Sequence, residues 1–155
     1  MSEITITLPD KSTRTYQSGV TPLEVAESIG SKLANDTVAA SINGVLSDAT
    51  IPLKTDSDLN LYTGSTIEGH EVLLHSTAHL MAQAVKALWP ESQITIGPAI
   101  KNRFYYDFDI DGTISNEDLQ KIENKMQQIA KEDLQVTRKE SVSYTHLTLP
   151  TTPYV

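Results

Sequence analysis

Val38 to Leu46 reads VAASINGVL. A run of small and β-branched residues meets Asn43-Gly44, the dipeptide best suited to the positive backbone angles of a two-residue hairpin turn. Val45-Leu46 then begins the return. The stretch predicts two antiparallel strands, and its neighbours decide what sheet they join. Upstream, Ile4 to Leu8 (ITITL) alternates apolar and polar residues as a half-buried strand does. Pro9-Asp-Lys-Ser12 is a turn signal, and Thr13 to Tyr16 can return beside the first strand. Thr21-Pro22 with Glu24 three residues after the threonine is a helix start. Leu23, Ala26, Ile29 and Leu33 follow at helical spacing, and Gly30 lies near the expected helix end. Downstream, Asp58 to Tyr62 (DLNLY) alternates as a last strand. The order ββαβββ in some sixty residues is a small mixed sheet with one helix packed on it, the β-grasp arrangement.

Composition sets the wider bounds. The chain has 155 residues, 39% hydrophobic and 21% charged, as a soluble globular protein of one or two small domains has. The absence of cysteine leaves no disulfide framework and no thiolate metal site. The start MSEITITLPD is not a signal peptide, so a cytoplasmic location is expected. A formal net charge of −8 argues against broad electrostatic binding of nucleic acid, though not against a site that meets only its end. The charge is spread over both halves: eight carboxylates face four Lys/Arg in residues 1–62, and twelve face eight in residues 63–140.

Beyond a short polar linker at Thr63 to Thr66, a second segment opens with a long helical pattern from Glu68 to Leu88. Leu73, Leu74, Ala78, Leu80, Met81, Ala84, Val85 and Leu88 fall on one arc. His75, His79, Gln83 and Lys86 fall on the other, with the two histidines one turn apart. Three readings stand for the pair: a solvated polar face, half of a zinc site, or a general-base and substrate-orienting pair in a cleft. Ser76 follows the first histidine where a metalloprotease helix needs Glu, and no third ligand follows at a recognisable spacing.

Trp89-Pro90 ends this helix; Gln93 to Ile96 and Phe104 to Phe108 are strand-like, the second with aromatics for both faces. Asp107, Asp109, Asp111 and Gly112 imitate the start of a calcium loop, but Lys121 stands near the place of its closing Glu, and we read a turn. Ser115 with Asp118 predicts a capped helix, with Leu119, Ile122, Met126, Ile129 and Ala130 inward. Gln135 to Glu140 can begin a further strand.

At HSTAHLMAQAVKALWP, IGPAI and FYYDFDI the sequence resembles the N-terminal part of bacterial threonyl-tRNA synthetases. The resemblance covers residues 3 to about 140 and implies an α+β chain. Residues 1–62 would be the β-grasp module called TGS, and 63–140 the first part of a tRNA-editing domain, incomplete here. By the same resemblance His75 and His79 match two editing histidines, His75 orienting water or substrate and His79 lining the pocket, with either a possible metal ligand. Tyr105 and Asp107 are taken as structural. The parent enzyme would charge tRNA(Thr) with threonine using ATP and hydrolyse mischarged seryl-tRNA(Thr). Its partners would be the tRNA acceptor end, threonine and serine as aminoacyl ester, with no membrane, in a homodimer. ATP, magnesium and zinc belong to the full-length family, and no cofactor is expected in this segment. Arg103 stands where the family has Gly before FYYD. The competing class is a non-catalytic TGS-type binding module with a structural histidine pair.

Residues 141–155, SVSYTHLTLPTTPYV, carry no Asp, Glu, Lys or Arg. They resemble the translation of a library adapter and read as a non-native tail on a truncated reading frame. On that reading His146 has no role.

Overall fold

The computed structural model describes residues 2–134 apart from 96, 98 and 101. The expectations for 135–140 and for the tail 141–155 fall outside the described residues. The described residues form two compact units: those up to His75 with Ala99–Arg103, and those from Ser76 to Gly97 with those from Phe104 onward.

In the first unit the strands are β1 (Glu3–Thr7), β2 (Thr13–Gln17), β3 (Thr37–Ile42), β4 (Val45–Ser47) and β5 (Ser57–Thr63). They form one mixed sheet in the order β2-β1-β5-β3-β4. β1 runs antiparallel to β2 and parallel to β5, while β3 is antiparallel to both β4 and β5. This is the β-grasp arrangement expected, in an α+β chain. The Asn43-Gly44 turn takes φ of 51° and 81°, as a two-residue hairpin of this hand demands. The Asn43 side chain also accepts from the amide of Asp58 at 2.9 Å, and its own amide donates to the Asp58 carbonyl at 2.8 Å. The turn is thereby fastened to β5 as well as closing β3 onto β4.

Helix α1 (Pro22–Ile29) starts as expected: the Glu24 amide donates to Thr21 Oγ1 at 3.2 Å, and Glu24 Oε2 accepts from the Thr21 amide at 2.7 Å. It buries Pro22, Val25 and Ala26 rather than the full set read from periodicity, and Ile29 is exposed. The helix stops at Gly30, and a second helix α2 (Ser31–Asp36) takes Leu33 out of register with α1. The core is Ile4, Ile6, Val25, Ala40, Leu53 and Leu59, with Tyr16, Val20 and Leu61 at its margin.

The Thr63–Thr66 segment, read as a linker, is a folded turn. Thr66 donates to the Thr63 carbonyl from its amide at 2.9 Å and from Oγ1 at 2.8 Å. Thr66 Oγ1 in turn accepts from the Gly69 amide at 3.1 Å. Thr66 thus caps helix α3 (Ile67–Leu88). Gly69 sits so close to the Thr63 carbonyl that a Cβ there would overlap it.

In the second unit Ala84, Val85 and Ile122 are buried, with Met81, Leu88, Trp89, Phe108, Ile110, Met126 and Ile129 around them. Ile122 comes from helix α4 (Asn116–Lys131), whose Ser115/Asp118 capping box forms as read. Of its expected apolar stripe, Leu119 is 56% exposed and Ala130 is exposed. β6 (Gln93–Ile94) pairs antiparallel with β9 (Phe108–Asp109); the short strands β7 (Ala99–Ile100), which belongs to the first unit, and β8 (Arg103–Phe104) pair with each other. The aromatic run expected as one strand is therefore split. Phe104 closes β8, Phe108 opens β9, and 105–107 is irregular. Tyr106 and Phe108, two residues apart, stack at 5.0 Å, while Tyr105 is 48% exposed.

Candidate functional site

Both histidines lie on α3, one helical turn apart, as the spacing required. His75 is exposed and His79 half-buried. Their side is not uniformly wet. Ala82, between them and the end of the helix, is 6% exposed, and Gln83 and Lys86 are half-buried. A fully solvated face does not bury an alanine and half-bury three polar residues, so α3 is partly covered on this side as well.

Lys86 is not a solvated member of that face. Its Nζ donates to the Ser92 carbonyl at 2.7 Å, across the turn that ends α3. The sequence signal was a lysine in the last helical turn, which commonly bonds the carbonyls left over at a helix C-terminus. Periodicity alone placed it with the histidines and missed this role.

The segments following α3 are held by main-chain bonds and ring packing. Thr95 donates to the Asp107 carbonyl from its amide at 3.2 Å and from Oγ1 at 2.8 Å. Asp107 thus supplies the main-chain acceptor that ties it to Thr95. Gly97 lies flush under the Tyr106 ring, where any Cβ would overlap the ring. The glycine of the IGP turn is set by this close approach. Arg103 is a β8 strand residue, and the positive φ beside it, 60°, belongs to Asn102. An arginine there costs the backbone nothing.

Among the described residues no group of three His, Cys, Asp or Glu is placed to hold a metal ion. The arrangement offers two imidazoles on one stretch of helix, with ring nitrogens that can hydrogen-bond a water or a substrate group. No described helix is long and apolar enough to cross a membrane.

Residues 4–63 match the TGS domain family. Together with the sheet order, this makes the first sixty-odd residues a TGS domain of β-grasp fold. Over 143 residues the chain is 48% identical to the threonine–tRNA ligase of Citrifermentans bemidjiense, a match covering 92% of this chain and 22% of the relative. The ligase of Acetivibrio thermocellus is 48% identical over 135 residues, 87% of this chain and 21% of the relative. That of Clostridioides difficile is 45% identical over 137 residues, 88% of this chain and 21% of the relative. Over nearly all of its length the chain is thus similar to the N-terminal region of threonine–tRNA ligases. It spans about a fifth of the length of these relatives.

Proposed function

We propose that this chain is the N-terminal portion of an enzyme that joins threonine to tRNA(Thr) at the expense of ATP. We further propose that α3 and the segments after it open a domain that removes serine attached to that tRNA in error. The observation that carries the reading is the identity of 48% running through the TGS domain and on across α3 with His75 and His79.

The chemistry explains why a second site is needed. Serine lacks one methyl of threonine, and a pocket that senses one methyl discriminates by only ~1–3 kcal/mol. A separate site that accepts the seryl ester and excludes the bulkier threonyl ester supplies the remainder. There His75 orients the attacking water or the ester, and His79 lines the pocket as the less exposed of the two. The partners are the tRNA acceptor end and the aminoacyl ester it carries. ATP, magnesium and zinc serve the remainder of the enzyme, which works in the cytoplasm as a homodimer. Because the chain spans 22% of its relatives' length, we expect it to hydrolyse seryl-tRNA slowly or not at all by itself.

The test is to place residues 1–134 in a relative's ligase in place of the matching segment. Seryl-tRNA hydrolysis and threonine attachment are then measured separately. The reading requires His75→Ala to lower hydrolysis while threonine attachment is unchanged. Equal hydrolysis by the variant and the parent would refute it.

A further inference from the structure

The sheet of the first unit ends on β2 at one side and β4 at the other. β4 is three residues long, a short edge of the kind that resists further pairing. β2 (TRTYQ) is five residues long, all exposed but Tyr16, with no proline and no bulge in its register with β1. That register shows which main-chain groups β2 has left over. Opposite residues of an antiparallel pair exchange bonds at alternate positions. The Ser18 amide donates to the Ser2 carbonyl and the Leu8 amide to the Ser12 carbonyl, both at 2.9 Å. Between these bonds Ile4 lies opposite Tyr16 and Ile6 opposite Arg14. Arg14 and Tyr16 therefore bond inward to β1, while Thr13, Thr15 and Gln17 turn their amides and carbonyls to the open edge. Of these, the Gln17 carbonyl accepts from the Val20 amide at 3.2 Å.

We propose that β2 pairs antiparallel with β2 of a second copy of this chain, two-fold about Thr15. A strand that meets itself in this way must match its own sequence read backwards, and TRTYQ does. Thr15 and the partner's Thr15 exchange two N–H···O bonds. The Gln17 amide donates to the carbonyl of the partner's Thr13, and the reverse, so the occupied Gln17 carbonyl is not needed. Thr15 faces Thr15 and Thr13 faces Gln17 across the seam, polar and uncharged pairs. Arg14, the one charge of the strand, lies opposite the partner's Tyr16. An axis through Arg14 would instead set like charges face to face. An axis through Tyr16 would lean on the occupied Gln17 carbonyl and leave Thr13 unpaired. The contact does not rest on the enzymatic reading above.

Sedimentation equilibrium of the whole chain should show a monomer passing to a dimer as concentration rises. Thr15→Pro deletes an amide donor that the pairing with β1 does not use, and proline is tolerated at such an edge position. It should weaken the dimer about tenfold or more, since one donor is lost from each copy. The circular dichroism of the dilute variant should match that of the parent. The chain has no cysteine, so one introduced thiol reports its own position. In the proposed pair the two Thr15 Cα atoms stand about 5.5 Å apart, within the span of a disulfide. Thr15→Cys should therefore cross-link two chains under oxidised glutathione much faster than Val45→Cys, a control exposed on β4. Should the proline variant not fold, the cysteine comparison decides. A chain that stays monomeric at every concentration overturns the proposal. So does a dimer that a folded Thr15→Pro leaves at full strength, or a thiol at 15 that cross-links no faster than one at 45.

Discussion

Lys86 Nζ stands 2.7 Å from the main-chain oxygen of Ser92 and fastens the last turn of α3 to the residue preceding β6. The ammonium also sits at the helix C-terminus, where the backbone carbonyls leave partial negative charge. A charged hydrogen bond of this kind, half-buried, contributes about 1.5–3 kcal/mol.

Lys86→Met keeps the methylene stem and removes only the charge and the donors. It should lower the stability of the chain by about 1–2 kcal/mol, read from the midpoint of urea unfolding. Lys86→Arg should recover part of the loss. If Lys86→Met were neutral, the lysine would be an ordinary surface residue.

Gly69 should resist replacement although it lies inside a helix. An alanine there would ordinarily stabilise a helix by about 0.5–1 kcal/mol. Here its Cβ runs into the Thr63 carbonyl, which is backbone and bound to Thr66. Gly69→Ala should therefore destabilise, by about 1–3 kcal/mol as overpacking does. Thermal unfolding monitored by circular dichroism gives the sign directly.

Helix α4 should lose part of its stability in strong acid. Lys121, at 2.8 Å, and Ser115 together hold the Asp118 carboxyl down to about 2. Its folded value thus lies below the 3.8 of a free aspartate. The stability it contributes is complete above pH 3.8 and is lost as pH falls through about 2. Asp118→Asn should flatten that part of the acid titration, followed through the amides of Ser115 and Asp118 by NMR. An unchanged titration in the variant would assign the acid sensitivity elsewhere.

His75 and His79 should separate kinetically in the full-length enzyme of the proposed reading. A group that orients water acts on kcat, and its loss costs on the order of 10²–10⁴-fold. A group that lines the pocket acts mainly on KM. His75→Ala should then lower kcat for seryl-tRNA hydrolysis, and His79→Ala should chiefly raise KM. Equal effects of both on kcat would mean that the two rings act as one unit.

The β-grasp half was readable because its signals are local and agree with one another. Ile4 to Leu8 alternates, Asn43-Gly44 permits one turn geometry, and Thr21 with Glu24 caps one helix. The second helix α2 was missed because Leu33 keeps the spacing of α1 across Gly30, and periodicity does not register a break in the backbone. The split of Phe104 to Phe108 into β8 and β9 follows from the stacking of Tyr106 on Phe108 and the close approach of Tyr106 to Gly97. Neither is visible in an alternation count. The placing of both histidines on one helix was fully legible, since a four-residue spacing fixes it. The position of Lys86 was not, because its partner is a main-chain oxygen, which no residue pattern announces.

The Thr63–Gly69 turn has a practical meaning for anyone cutting the chain. The TGS match ends at residue 63, yet the Thr63 carbonyl receives both of its bonds from Thr66, which in turn holds Gly69. A piece trimmed at residue 63 would leave β5 with a frayed last residue, whereas one trimmed at His75 would retain the whole knot and the first turns of α3. Melting curves of the two pieces should differ in favour of the longer. The family match thus stops at residue 63, while the hydrogen bonds that close the last strand of the sheet run on to Gly69.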